Sequence, residues 1–161
     1  MRRECGPSGG CRANSCATSI PDVDIPPGFM PLQRTSPFNT LVGPLYTKGE
    51  GAARTIGLLA ADKHCNSRGI VHGGLLATLA DLALGYTIAF LSDPPKSAVT
   101  ASLTIDYAGS AKVGDWLEVR TDVQKSGGRL TFANCYVHVG DLRIVRASAV
   151  FASSGERRSE T

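Results

Sequence analysis

The chain has no cysteine pair at a metal-binding spacing such as C-x-x-C, although it holds five cysteines, at positions 5, 11, 16, 65 and 135. An odd count, with three of the five in a Gly/Ser-containing leader, argues against a disulfide framework and for a reducing compartment. It also lacks a basic stripe interleaved with aromatics. Aromatics are only 6% of the residues, and the formal charge of +3 reflects Arg2, Arg3, Arg12, Arg157 and Arg158 near the two ends. That pattern excludes the usual nucleic-acid footprint. The first twenty residues lack an apolar stretch of roughly 7–15 residues, so a secretory signal is not expected. Glu4 and the many glycines make the leader a poor transit helix, which leaves the cytoplasm as the expected location.

What remains is a globular composition, with 42% hydrophobic and 19% charged residues over 161 positions. Such a length supports one domain with a real core. Residues 1–26 carry Gly, Ser, Cys and Pro without apolar periodicity and read as a disordered leader. The domain is expected over 27–155, with a flexible tail over 156–161.

Ser36-Pro37 supplies a helix N-cap and a proline at the first helical position, with Phe38, Leu41 and Val42 on one face before Gly43. Two strands are expected at Leu45–Tyr46 and Ala53–Ala61, joined through Lys48-Gly49-Glu50-Gly51. The segment Gly73–Leu91 has one charge, Asp81, in nineteen residues and ends at Ser92-Asp93-Pro94-Pro95. It would reach roughly 28 Å as a helix, long enough to span a bilayer. A mid-span aspartate and the absence of flanking Trp, Lys or Arg anchors count against that, so no membrane is expected.

Beyond the helix, Val99, Ala101, Leu103, Ile105 and Tyr107 alternate with Thr100, Ser102, Thr104 and Asp106. Leu117–Val123, Arg129–Val139 and Leu142–Ala152 continue the period of two, with turns at Gly127-Gly128 and Gly140-Asp141. An antiparallel meander is expected. A helix apolar nearly all round must be covered on most sides, so an α+β fold with a curled antiparallel sheet around one helix follows.

Asp81 alone in that helix is the first candidate for chemistry, because a buried, unpaired carboxylate is costly. An apolar setting that raises its proton affinity would suit it to taking a proton from water or attacking a carbonyl. His72-Gly73-Gly74 opens the helix, where N–H groups have no preceding carbonyl to meet. The Gly73 N–H and the helix dipole there could hold an oxyanion. Eight residues separate Gly73 from Asp81, roughly 12 Å along the axis, too far for one carbonyl to touch both. A dimer with Gly73 from one subunit and Asp81 from the other resolves this. The small residues Gly74, Ala77, Ala80 and Ala83 would permit close approach.

Asn66 reads as a turn residue able to hydrogen-bond water or a thioester. His72 is expected to be tied to backbone rather than to act as a base. Thr100 could donate to the carboxylate. Arg129, Arg143 and Arg146 are candidates by charge for anionic groups. Cys65 and Cys135 read as small core or loop residues.

The run Asn66-Ser67-Arg68-Gly69-Ile70-Val71-His72-Gly73-Gly74, followed by Asp81, resembles the hotdog-fold acyl-CoA thioesterases of the phenylacetate-pathway (PaaI-like) branch. The similarity spans about Phe38 to Phe151. It implies a sheet curled around the helix, a homodimer or dimer of dimers, and hydrolysis of acyl-CoA without metal or cofactor, coenzyme A being part of the substrate. It further implies that Asp81 activates water or attacks, that Gly73 polarises the carbonyl and that Asn66 assists. The strand hydroxyl that relatives often supply as serine is Thr100 here. His72, Gly74, Thr100 and Arg129 are the expected substrate-binding residues. Hotdog hydratases or dehydratases and a non-catalytic acyl-CoA sensor are the competing readings.

Overall fold

A computed structural model describes residues 25–33 and 36–153. Most of the leader and all of the expected tail lie outside the described residues. The elements are β1 (Met30–Pro31), α1 (Pro37–Val42), β2 (Tyr46–Lys48), β3 (Thr55–Leu59), α2 (Gly73–Ala89), β4 (Ala98–Tyr107), β5 (Trp116–Ser126), β6 (Leu130–Val139) and β7 (Leu142–Ser153).

All strand pairs are antiparallel, in one seven-stranded sheet of order β1-β2-β3-β5-β6-β7-β4. This is the hotdog arrangement: the sheet curls around α2. Leu76, Leu79, Ala80, Ala83, Leu84, Thr87 and Ile88 are the buried face of α2. They meet Leu117 and Val119 of β5, Ala133, Cys135 and Val137 of β6, and Ala147, Ala149 and Phe151 of β7. Removing that much apolar surface from water is the main force closing the sheet on the helix. No described helix is long and apolar enough to cross a membrane.

Three expectations change in detail. The long helix stops at Ala89, because the Phe90 N–H turns back to Tyr86, Thr87 and Ile88 carbonyls in a tightening last turn. The β2–β3 connection includes a 3-10 turn at Gly51–Ala53, so the second strand starts at Thr55. The meander holds for β5-β6-β7, but β4 lies at the far edge beside β7 and does not pair with β5. The chain leaves β4 with the Ala108 and Gly109 N–H groups both donating to the Ile144 carbonyl of β7, then crosses to lay β5 between β3 and β6.

The strict alternation read along β4 is also broken. Thr100 pairs with Phe151 and Ser102 with Val150, so Ala101 has no partner and forms a β-bulge. One extra residue reverses which side chains point inward. Ala98 packs on the core before the bulge, and Leu103 and Ile105 after it, while Val99 is 57% exposed. Thr100 therefore shares the inner face with Leu103, Ile105 and Tyr107, not the outer one.

α1 is short, and its end is secured from outside. Ser36 caps its start by accepting the Asn39 N–H at 3.1 Å. At its other end Lys63 donates to the Leu41 and Gly43 carbonyls, and His64 Nε2 donates to the Val42 carbonyl at 2.7 Å. His64 Nδ1 accepts the Ala61 N–H at 2.9 Å, so the ring is neutral with its proton on Nε2. Burial holds its pKa below the usual histidine range.

Candidate active site

α2 leaves one stripe uncovered: Gly74, Thr78, Asp81, Gly85 and Ala89 are half-buried or exposed, each three or four residues from the next. Ala80 and Ala83, expected from their size to line a subunit contact, instead face the sheet and are buried. Asp81 is half-buried on the open stripe, and its Oδ1 accepts the Thr100 hydroxyl at 2.7 Å. A charge-assisted hydrogen bond of that length orients the carboxylate and leaves its second oxygen to act. Beneath it, Cys135 is sealed in the core with Sγ 3.9 Å from the Ala80 carbonyl. Burial and then the Asp81 charge push that thiol up to about 12, which removes it as a nucleophile.

Asp81 opens onto a cavity of about 450 Å³. Its helix wall is Asp81, Leu82, Gly85, Tyr86 and Ala89; Ala98, Thr100 and Phe151 form the strand wall, and Ser36, Asn39 and Pro95–Ser97 close it. Asn39 is 8% exposed and donates through Nδ2 to the Tyr86 hydroxyl. A second cavity of about 630 Å³ adjoins the first through Lys96, Ser97 and Ala98 and borders Ser126–Gly128.

Gly73 is the first residue of α2, and its N–H has no acceptor among the described residues. Its carbonyl accepts the Tyr107 hydroxyl at 3.0 Å, which pins the helix start to β4. His72 is the N-cap: Nδ1 accepts the Gly74 N–H at 2.9 Å, and its own N–H donates to the His64 carbonyl. A Cβ on Gly74 would sit 3.0 Å from His72 Nδ1, so any larger residue there would push the capping ring by a few tenths of an ångström. Of the four orphan donors at this terminus, Gly74 is spent on the cap and Gly73 stays open.

Asn66 closes the loop before the helix, its Oδ1 accepting the Arg68 N–H at 2.9 Å and its carbonyl accepting the Gly69 N–H. That fixes the side chain and leaves Nδ2 to donate. Gly73 and Asp81 lie on the same helix, eight residues apart, so within one chain the open N–H and the carboxylate stay roughly 12 Å from each other. Thr100 is brought to Asp81. Arg129 is not: it follows Gly128 in the β5–β6 turn and lines neither cavity. Arg143 stacks on the Tyr136 ring at 3.8 Å and Arg146 pairs with Asp106, both away from the cavity lining.

Sequence reasoning missed Tyr107, Asn39, Tyr86, Gly85 and Lys96. Tyr107 could have been found once the bulge was suspected, since it ends the same apolar alternation. Asn39, Tyr86 and Lys96 come from three separate segments, and no spacing links them.

The thioesterase superfamily model matches residues 68–145, which hold the helix start, Asp81 and Thr100. The protein PA0474 of Pseudomonas aeruginosa, which carries an esterase name, is 46% identical over 130 residues, covering 80% of this chain and 97% of its own. Acyl-coenzyme A thioesterase 13 of Mus musculus is 30% identical over 73 residues, 45% of this chain and 51% of its own. Among solved structures, Escherichia coli PaaI has a TM-score of 0.69 at 18% identity, covering 75% of this chain and 86% of that one. The smu.793 protein of Streptococcus mutans, bound to acetyl CoA, has a TM-score of 0.59 at 25% identity, covering 65% and 82%. By the fold, the glycine-opened helix with its carboxylate, and these relationships, the chain belongs to the thioesterase superfamily.

Proposed function

We propose that the protein hydrolyses acyl-CoA thioesters in the cytoplasm at two equivalent sites of a homodimer, itself able to pair into a dimer of dimers. The observation that carries this reading is Asp81, held by Thr100 at the mouth of a cavity, on the same helix as an open Gly73 N–H that it cannot reach. A second chain related by a twofold axis supplies the missing half to each site. Two features support such an axis: the uncovered stripe of α2, and the ten-residue edge strand β4, whose outer side has no neighbouring strand among the described residues. Acetyl CoA in the Streptococcus mutans relative supports the substrate class.

The thioester carbonyl lies against the partner's Gly73 N–H. Asp81 accepts a proton from water as the water oxygen attacks the carbonyl carbon, and the oxyanion is held by the Gly73 N–H and the helix terminus. Collapse breaks the C–S bond, and the departing coenzyme A thiolate takes the proton back from Asp81. Direct attack by Asp81 is the alternative route; it forms a mixed anhydride that water then cleaves. Asn66 Nδ2 donates to the carbonyl or the water. Arg129, which follows Gly128 at the edge of the second cavity, is offered to the phosphates of coenzyme A.

Thiol release from short, medium and aromatic acyl-CoAs by the wild type and by Asp81→Asn tests this. A loss of about a hundredfold or more in the variant is expected. Equal turnover removes Asp81 from the mechanism. Tight acyl-CoA binding without thiol release makes the protein a sensor, and hydration of an enoyl-CoA with coenzyme A retained makes it a hydratase.

A further inference from the structure

Gly85 sits in the interior of α2, one turn past Asp81, where a glycine weakens a helix relative to alanine. Most of the other described glycines have visible reasons. Gly28, Gly49, Gly51, Gly69, Gly114 and Gly140 have positive φ, and a Cβ on Gly57 would overlap the Trp116 ring. Gly85 has neither. Its φ is not positive, and an added Cβ would meet a single side-chain atom, Phe151 Cε1, at an ordinary contact distance of 3.8 Å. What it does adjoin is the cavity of about 450 Å³ that starts at Asp81. Between Leu82 and Tyr86, which flank it on the same wall, the row Asp81, Gly85 and Ala89 carries no side chain longer than a methyl beyond the carboxylate.

We propose that Gly85 is the specificity-determining residue of the acyl site: the space it leaves empty holds the acyl chain past the reacting carbonyl. This rests on the acyl-CoA reading above. Gly85 lies about 6 Å along the axis from Asp81. An extended acyl chain gains roughly 1.25 Å per carbon from C–C bonds of ~1.5 Å, so it reaches Gly85 at about its fifth carbon. The substrate class is therefore acyl-CoAs of medium length, five carbons or so upward, rather than acetyl or propionyl. Shorter chains would leave that part of the cavity unfilled and forgo its burial.

The test compares kcat/KM for acetyl-, hexanoyl- and octanoyl-CoA in the wild type, Gly85→Ala and Gly85→Leu, with the melting temperature and native mass of each. The wild type is expected to prefer hexanoyl- or octanoyl-CoA. The octanoyl-to-acetyl ratio should fall about tenfold in Gly85→Ala and further in Gly85→Leu. Gly85→Ala should melt a few degrees higher, because the helix gains and no contact is lost. A ratio that stays within twofold in both variants, or a wild type that prefers acetyl-CoA, overturns the proposal. A lower melting temperature with a halved native mass in Gly85→Ala also overturns it, by assigning the glycine to subunit packing. A wild type that releases no thiol from any of the three defeats the hydrolytic reading instead. The proposal is then decided by calorimetric affinities of the same acyl-CoAs, where the same tenfold fall is required.

Discussion

Thr100 is the residue whose removal should be read most directly in the rate. Its hydroxyl is the single donor to Asp81 among the described residues, at 2.7 Å. Thr100→Val keeps the shape and removes the donor, leaving the carboxylate free to rotate away from the water it must deprotonate. We expect kcat/KM to fall about tenfold, with Thr100→Ser recovering most of it, measured as thiol release. His64 acts on stability rather than rate. Its folded pKa is depressed, chiefly by burial, whereas in the unfolded chain it titrates near the usual ~6.5. Stability from the neutral ring is thus fully present above that value and is lost as the pH falls through the folded pKa. Protonation would also place a proton on Nδ1, which accepts the Ala61 N–H. His138, likewise depressed chiefly by burial, acts in the same direction. The melting temperature should fall between pH 7 and pH 5, and His64→Gln should show a shallower fall. An unchanged slope in that variant would mean that His64 does not titrate on unfolding.

At the scale of the element, β3 and β4 carry the clearest consequences. Gly57 of β3 lies under the Trp116 ring, which also meets Phe29 edge-on at 4.9 Å and Tyr46 at 5.5 Å. Gly57→Ala drives a methyl into that cluster and should cost about 1–3 kcal/mol in denaturant unfolding, without touching the site. In β4 the bulge is what keeps Thr100 on the inner face together with Leu103 and Ile105. Deleting Ala101 removes the unpaired residue and leaves Ala98 and Thr100 inside and Val99 outside, because Thr100 opposite Phe151 and Ser102 opposite Val150 then follow each other directly. Thiol release should therefore stay within a fewfold of the wild type; a loss as large as that of Thr100→Val would mean that the bulge itself aims the hydroxyl. The helix and the three-strand meander were legible in the sequence because each is written in local spacing. The bulge was not, since Val99–Tyr107 alternate without a break, and the shift arises only when β4 is aligned against Phe151 and Val150 of β7. The edge position of β4 was hidden for the same reason: it depends on the crossing after Gly109, and no period in the sequence records a crossing. Asn39, Tyr86 and Lys96 meet around the cavity only because α1, α2 and the following loop converge.

For the molecule as a whole, the proposed division of the site between chains can be tested by mixing two inactive variants. Gly73 occupies the first helical position, where proline is tolerated, and the extended φ and ψ of His72, −65° and 133°, suit a residue before proline. Gly73→Pro therefore deletes the N–H donor while sparing the helix. Combined with Asp81→Asn by co-refolding, half of the dimers are mixed and each mixed dimer holds one intact site, so about a quarter of the wild-type activity should return. No recovery would mean that both groups act from the same chain. The uncovered stripe of α2 carries a last consequence. If each chain owns only half of the reacting groups, the catalyst is formed by a bimolecular association, and specific activity should decline on dilution once the chain falls below its dimer dissociation constant. A protein of this kind responds to its own abundance: output rises faster than linearly while copies are scarce and becomes proportional only when nearly every chain has found a mate.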